Sequence, residues 1–261
     1  MIRRFNRFEL KYIITVKKAE EIIEDIKNLT VPDLYGAQNG YRVVSLYYDS
    51  PQLDFFWDKI EGIKFRRKLR IRIYPLNNIE DTTEGMVEIK QRLNRTVQKR
   101  RLCLPLAKAE QLCAGVLKEE RMGTGILDEI IDPLDQQVAS EIQYIVRAKH
   151  LKPTCITDYH RKAFLGNIYD YGLRITFDTD VKARVHGLKI NLNTSNHVFL
   201  SPDRCIMEVK VNEAVPDWMT SLLARHECQI KRVSKYCTGL ATARGIRVLP
   251  FTISPVLKEV C

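Results

Sequence analysis

The sequence predicts an α+β fold in which antiparallel strands, rolled into a barrel, are flanked by a few helices. Segments that alternate apolar and polar residues with period two outnumber segments with helical spacing about two to one. Five of those strands carry ionised residues along a whole face. Turn chemistry punctuates them at Asp49-Ser50-Pro51, Asn77-Asn78 and Asn193-Thr194-Ser195-Asn196.

The helices are few. Thr15 supplies a capping hydroxyl for a helix over 16–29, where Val16, Ala19, Ile22, Ile23, Ile26 and Leu29 recur at helical spacing. Further helices are expected over 107–118, 134–147, 216–226 and 234–245. Strands are expected over 5–14, 41–49, 63–74, 85–92, 95–104, 153–160, 171–178, 182–190, 196–200 and 204–212. No internal repeat, low-complexity tract or linker interrupts them, so residues 1–261 read as one domain.

The chain has 42 Lys and Arg against 32 Asp and Glu, a net charge of +10, while 45% of its residues are hydrophobic. Disorder is excluded by that apolar content, and the charge favours anionic partners: nucleic acid, nucleotides, polyphosphate or an anionic membrane. Seven cysteines are scattered with no CxxC pair, which suggests neither a disulfide framework nor a zinc site. The N-terminus is broken by charge at short intervals and so lacks the apolar core of a signal peptide. No run reaches the roughly 18 apolar residues that span a bilayer. A soluble, cytoplasmic chain is expected, with a separate membrane partner left open.

Residues two apart on a strand share a face. Glu9 and Lys11 therefore oppose Phe8, Leu10 and Tyr12, and Arg66, Lys68, Arg70 and Arg72 oppose Leu69, Ile71 and Ile73. Glu88 and Lys90 oppose Val87 and Ile89; Arg174, Thr176 and Asp178 oppose Leu173, Ile175 and Phe177; Glu208 and Lys210 oppose Met207, Val209 and Val211. In an ordinary half-solvated sheet such faces simply meet water. Two features favour more: these faces hold almost no Ser, Asn or Gln, and the motif ExK recurs at Glu9, Glu88 and Glu208. A barrel with apolar faces outward against helices and charged faces around a water-filled lumen explains both, and such a lumen suits a long anion.

At these residues the sequence resembles the VTC domain, the polyphosphate polymerase domain of the triphosphate tunnel metalloenzymes, in its soluble bacterial, CYTH-like form. The motifs run in order: RFELKY at 7–12, SLYYDSP at 45–51, KLRIRIY at 68–74, VEIKQR at 87–92, YHRKAF at 159–164, LRITFDTDV at 173–181, MEVKV at 207–211 and SKY at 234–236. The resemblance implies a closed antiparallel eight-stranded β-barrel, a triphosphate tunnel, with flanking helices. It implies substrate-binding and catalytic roles for Lys11, Arg70, Arg72, Lys90, Arg161, Arg174 and Lys235, and a metal-binding role for Glu208, with Glu88 and Glu9 as second ligands or charge partners. Lys68 and Lys210 share the charged faces and join the substrate-binding set. The implied partners are ATP and inorganic polyphosphate, and the implied cofactor is Mn2+ or Mg2+.

The chemistry of these residue types agrees. Phosphoryl transfer is mainly positioning and cancellation of charge on the transferring group. Arg gives bidentate donors for phosphate oxygens and Lys a point charge. Facing rows of cations repel, so interior carboxylates also serve to hold the empty site together. Ser234 can cap the helix that follows, placing Lys235 where a helix N-terminus favours anions. Asp178 and Asp180 are secondary metal-ligand candidates; His160 and Tyr159 read as packing or solvent residues. The 261 residues hold no SPX-like region and no transmembrane run, so coupling of synthesis to translocation is not expected of them. Two alternatives remain: a triphosphatase of the same fold, and a non-catalytic polyanion-binding module. Nucleic acid is not expected, since most aromatics fall on apolar strand faces, and binding of that kind would rest on clusters such as Arg100-Arg101 and Lys231-Arg232.

Overall fold

The computed structural model describes residues 8–34, 39–76, 78–94, 96–115, 129–192, 194–212 and 214–247. Positions 5–7 of the first expected strand, the end of the helix expected over 107–118, and the turn residues Asn77 and Asn193 lie outside them. The chain forms two compact units, each assembled from separate stretches: Met1–Val43, Asp158–Ala183 and Asn196–Cys261 in the first, Val44–Thr157 and Arg184–Ser195 in the second.

In the first unit β1 (Phe8–Thr15) leads into α1 (Val16–Ile26), whose N-terminus is capped as expected: Thr15 Oγ1 accepts from Lys18 N at 3.1 Å. β10 (Arg204–Val211) pairs with β1 on one side and with β8 (Arg174–Arg184) on the other, both antiparallel. Two short strands, β2 (Thr30–Pro32) and β9 (His197–Val198), pair with β7 (Lys152–Gly166) and β8. The apolar faces make the core: Tyr12 and Ile14, Ile175 and Phe177, Met207 and Val209 are buried against Ile22 and Ile26 of α1 and Met219 and Leu222 of α5 (Asp217–Arg225). α6 (Lys235–Arg244) completes the unit, capped by Ser234 Oγ, which accepts from Cys237 N at 3.3 Å.

The second unit holds β4 (Phe65–Ile73), β5 (Glu84–Leu93) and β6 (Thr96–Pro105) as an antiparallel meander, with most of β3 (Tyr41–Asp49) paired to β4. Leu69, Ile71, Val87, Ile89 and Leu102 are buried beneath α3 (Leu106–Ala114) and α4 (Pro133–Ala148). A helix absent from the sequence reading, α2 (Asp54–Ile60), follows β3. Its start is held by Asp49: one carboxylate oxygen accepts from Ser50 N and Phe55 N at 2.8 and 2.9 Å, the other from Phe56 N at 2.9 Å. The SLYYDSP motif thus carries a helix cap in its aspartate.

The hydrogen-bonded path reads β1-β10-β8-β7-β3-β4-β5-β6, eight strands with β2 and β9 beside it. Its ends are β1 and β6, and no ladder among the described residues joins them. The expected α+β class holds as a large antiparallel sheet with six helices in the described chain, and hydrogen bonds among the described residues do not close that sheet into a barrel. A correction concerns 171–190, expected as two strands. One strand, β8, runs to Arg184 with Asp180 in the left-handed region at φ 50°, and 185–192 is a loop. Buried Arg184 explains the loop, because its guanidinium donates to the carbonyls of Gly187, Lys189 and Leu192, satisfying backbone groups a strand partner would otherwise bind.

Candidate functional site

In the first unit, register places Lys11 opposite Glu208, Glu9 opposite Lys210, Glu208 opposite Thr176, and Lys210 opposite Arg174. The charged faces of β1, β10 and β8 are therefore one surface. Glu208 is its centre: Oε1 receives Lys11 Nζ at 3.1 Å and Lys235 Nζ at 2.9 Å, and Oε2 receives Lys210 Nζ at 2.8 Å. Lys11 also reaches Glu9 at 3.1 Å. Asp178 is the second anchor, fully buried, its two oxygens taking Arg161 Nε and Nη2 at 2.6 and 2.7 Å and one of them Lys235 at 2.5 Å. The Tyr159 ring lies under both cations, 5.2 Å from the Arg161 guanidinium carbon and 5.0 Å from Lys235 Nζ. Arg174 is held apart from this knot by Asp33 at 2.7 Å and the Tyr41 hydroxyl at 3.1 Å.

Burial opposes ionisation of Glu208, but Lys11, Lys210 and Lys235 outweigh it and hold the carboxyl well below the usual range. Asp178 is likewise lowered against its burial, by Arg161 and Lys235. Burial would also depress the lysines. Glu208 and Glu9 overcome this at Lys11 and raise it, and Asp178 and Glu208 do the same at Lys235. Lys210 is where burial wins: three ammoniums share one carboxylate, and it falls to about 8.

In the second unit the charged face forms rows across three strands. Lys68, Lys90 and Lys99 stand in register, and in the next row Arg70, Glu88 and Arg101. Glu88 is buried and gathers three partners: Arg70 Nη2 at 2.5 Å, Arg101 Nη2 at 2.8 Å and Lys99 Nζ at 2.5 Å. Burial opposes its charge, yet Arg70, Arg72 and Lys99 hold it far below the ordinary carboxylate range. Arg72 is buried and donates to Ser45 Oγ at 3.0 Å. Arg70 donates to the Tyr47 hydroxyl at 3.1 Å. Burial would raise that phenol, but Arg70, Arg72 and Lys68 bring it down to about 8. Burial likewise carries Lys99 down to about 8 against the pull of Glu88.

A protein-family model described as VTC domain matches residues 6–244, through both units. The chain belongs to the VTC domain family. No curated protein shows a significant sequence match. Among solved structures it is similar to a candidate adenylate cyclase from Vibrio parahaemolyticus, at 11% identity and a TM-score of 0.46, covering 90% of this chain and 97% of that one. It is also similar to a candidate adenylyl cyclase from Hippeastrum, described as having a dominant triphosphatase activity, at 13% identity and a TM-score of 0.48, covering 95% and 97%.

The carboxylates of this VTC domain are the donors available to a divalent ion. No group of three or more His, Cys, Asp or Glu side chains among the described residues could cage a metal alone. What the first unit offers is a pair, Glu208 and Glu9, brought together by their shared partner Lys11. Mg2+ and ions like it commonly take one or two carboxylates and complete their shell with substrate phosphates and water. The pair fits an ion that arrives with phosphate. Glu88, bound by Arg70, Arg101 and Lys99 in the second unit, is fitted for charge balance instead.

The sequence reading missed several members of these clusters. Tyr159, read as packing or solvent, is buried beneath two site cations. Asp178, ranked second as a metal ligand, is the seat of Arg161 and Lys235, whereas Asp180 is exposed and pairs with Lys182 at 2.7 Å. Arg100-Arg101 is not one surface cluster: Arg101 turns to Glu88 and Arg100 to Glu141. Tyr47 went unnoticed, although its parity with Ser45 on β3, opposite Arg70 and Arg72, was a usable signal.

A pH dependence follows. Lys99 and Lys210 lose their protons near pH 8, and Tyr47 gains negative charge there. A bound phosphate chain favours the protonated ammonium, so affinity falls as pH rises. Each lysine that titrates at about 8 when empty and above about 9 when occupied costs about tenfold between pH 7 and 9. Stability moves the other way. These groups are lowered relative to the unfolded chain, which therefore binds more protons between about 8 and their ordinary values, and the empty fold gains stability across that window. Calorimetric titration with tripolyphosphate at fixed ionic strength, beside thermal melts of empty protein, should show the two opposite slopes.

Proposed function

We propose that this chain transfers the γ-phosphate of ATP to a growing inorganic polyphosphate chain, with Mn2+ or Mg2+ bound alongside the substrate. The observation that carries the reading is the charge arithmetic of the second unit. Its two central rows set Lys68, Lys90, Lys99, Arg70 and Arg101 against the single carboxylate Glu88. Like charges directly opposite on a sheet destabilise it, and a flexible chain of phosphates is the ligand that would relieve a repeating row of them. Family membership supports a triphosphate tunnel enzyme. The reading needs the charged strand faces, not a closed ladder.

In this reading Arg70, Arg72, Lys68 and Lys90 of the second unit hold phosphate oxygens and keep the chain extended. In the first unit Lys11, Arg161, Arg174, Lys210 and Lys235 bind phosphate, exchanging some of their carboxylate partners for its oxygens. Glu208, with Glu9 beside it, would hold the divalent ion, which when bound supplies charge neutralisation on phosphate oxygens. Buried partners such as Asp178 and Ser45 fix the cations before substrate arrives, so little reorganisation is left for the reacting complex. The likeness between synthesis and hydrolysis is close, because water and phosphate compete as acceptors for the same bound group.

The test is an incubation of the purified protein with ATP and Mn2+ or Mg2+, following polyphosphate on a gel together with free phosphate. Long polyphosphate is expected, falling at least about a hundredfold in Glu208→Gln and Arg72→Ala. Free phosphate without polymer would move the assignment to a triphosphatase. Neither product would leave a polyanion-binding module.

A further inference from the structure

On the charged face of β8 two hydrogen-bonding groups are left over. Thr176 is wholly buried, and its hydroxyl, able to donate or accept, meets no partner among the described residues. Two positions earlier on the same face, Arg174 directs Nη2 to Asp33 and the Tyr41 hydroxyl at 2.7 and 3.1 Å, but its Nε is covered and equally without a partner. The two Cα atoms stand about 6.5 Å apart along the strand, close enough for one chain of phosphates to meet both side chains. A buried hydroxyl left unpaired weakens the fold and calls for a use. Valine has nearly the same shape, suits a strand and would avoid the cost.

The surroundings say what kind of group would complete them. Register sets Thr176 opposite Glu208, with Lys11 beyond that glutamate, and sets Arg174 opposite Lys210, with Glu9 beyond. The carboxylates are engaged elsewhere: Glu208 by Lys11, Lys210 and Lys235, Asp178 by Arg161 and Lys235, Glu9 by Lys11. The other charged side chains of these rows are cations, which donate and do not accept. A divalent ion would take the hydroxyl oxygen but not Arg174 Nε, whereas an anion with several oxygens takes both donors at once. We propose that Thr176 is a further substrate-binding residue, whose hydroxyl donates to a phosphate oxygen of the bound chain. This rests on the phosphate-binding reading of the first unit and adds an uncharged donor to its lysines and arginines. Because the hydroxyl is covered in the empty site, phosphate reaches it as Lys11, Lys210 and Lys235 exchange Glu208 for the incoming oxygens.

Calorimetric titration with tripolyphosphate, with a chelator and again with Mg2+, beside thermal melts of the empty protein, tests this in Thr176→Val and Thr176→Ser. Valine should weaken binding at least about tenfold, with or without the ion, because it removes a hydrogen bond to a charged group. It should also raise the midpoint of the empty protein by at least about 2 °C, because that hydroxyl is unpaired until the ligand arrives. Serine keeps the hydroxyl and loses a methyl group, so its midpoint should fall while its affinity stays near that of the parent. A merely structural threonine would lose stability and affinity together; opposite movements in the valine variant are the signature of the proposed role. If valine binds tripolyphosphate as the parent does, or melts below it, the inference is overturned and the phosphate-binding reading stands. A deficit seen only with Mg2+ would assign the hydroxyl to the ion and overturn it too. A parent that binds no tripolyphosphate would end the reading itself, and the inference with it.

Discussion

Glu208→Gln is expected to destabilise the empty protein by about 3–5 kcal/mol, and tripolyphosphate should restore much of that loss. Glu208 is 5% exposed and receives Lys11, Lys210 and Lys235 at 2.8–3.1 Å. The amide keeps the shape and one acceptor oxygen but removes the negative charge that offsets three buried ammoniums. The cost is therefore that of cations left without compensation, not of a missing hydrogen bond. An added phosphate chain supplies negative charge to the same lysines and binds only the folded state, so it raises the midpoint of the variant more than that of the parent. Thermal melts with and without tripolyphosphate read this directly. Equal midpoints for variant and parent would show that Glu208 is not a charge anchor. A variant that tripolyphosphate cannot rescue would show that these lysines do not meet phosphate.

Much of this site was legible because a strand has a period of two. Glu9 and Lys11, Glu208 and Lys210, and Arg70 and Arg72 could be set on charged faces from parity alone, and their apolar neighbours are the buried ones. The same rule, applied to Arg100-Arg101, separates the pair to opposite faces, toward Glu141 and Glu88; adjacency in the chain had hidden this. Other features had no local signal. Ladder closure depends on whether the first and last strands of the path pair, which no single segment reports. α2 spans seven residues, too short for a helical period to show, and its cap comes from Asp49 at the end of the preceding strand. Asp178 is one of several carboxylates near a strand end, and only burial beside Arg161 and Lys235 distinguishes it from Asp180.

Asp178→Asn is expected to cost a similar amount, about 3–5 kcal/mol, but with a different signature. Asp178 is wholly buried, and burial alone would favour its neutral form; Arg161 and Lys235 keep it ionised. Neutralising it leaves a guanidinium and an ammonium over the Tyr159 ring with Glu208 as the remaining charged partner of Lys235. If Asp178 serves to seat these cations, replacing the pair together, as Arg161→Met with Asp178→Leu, should recover most of the stability, since two well-packed apolar side chains often do as well as a buried ion pair. The double variant should nevertheless bind tripolyphosphate more weakly than the parent, because it has lost a phosphate-binding cation. The single variant, in its folded fraction, should bind at least as tightly as the parent, because its cations no longer have to leave Asp178. Urea unfolding and calorimetric titration of the three proteins separate the roles. A double variant no more stable than the single one would refute the seating role, and undiminished affinity in the double would remove Arg161 from the phosphate site. The expected pair of results, stability recovered and affinity reduced in the double variant, would make the carboxylates stand-ins for a polyanion, holding cations in place until a phosphate chain takes over their charge.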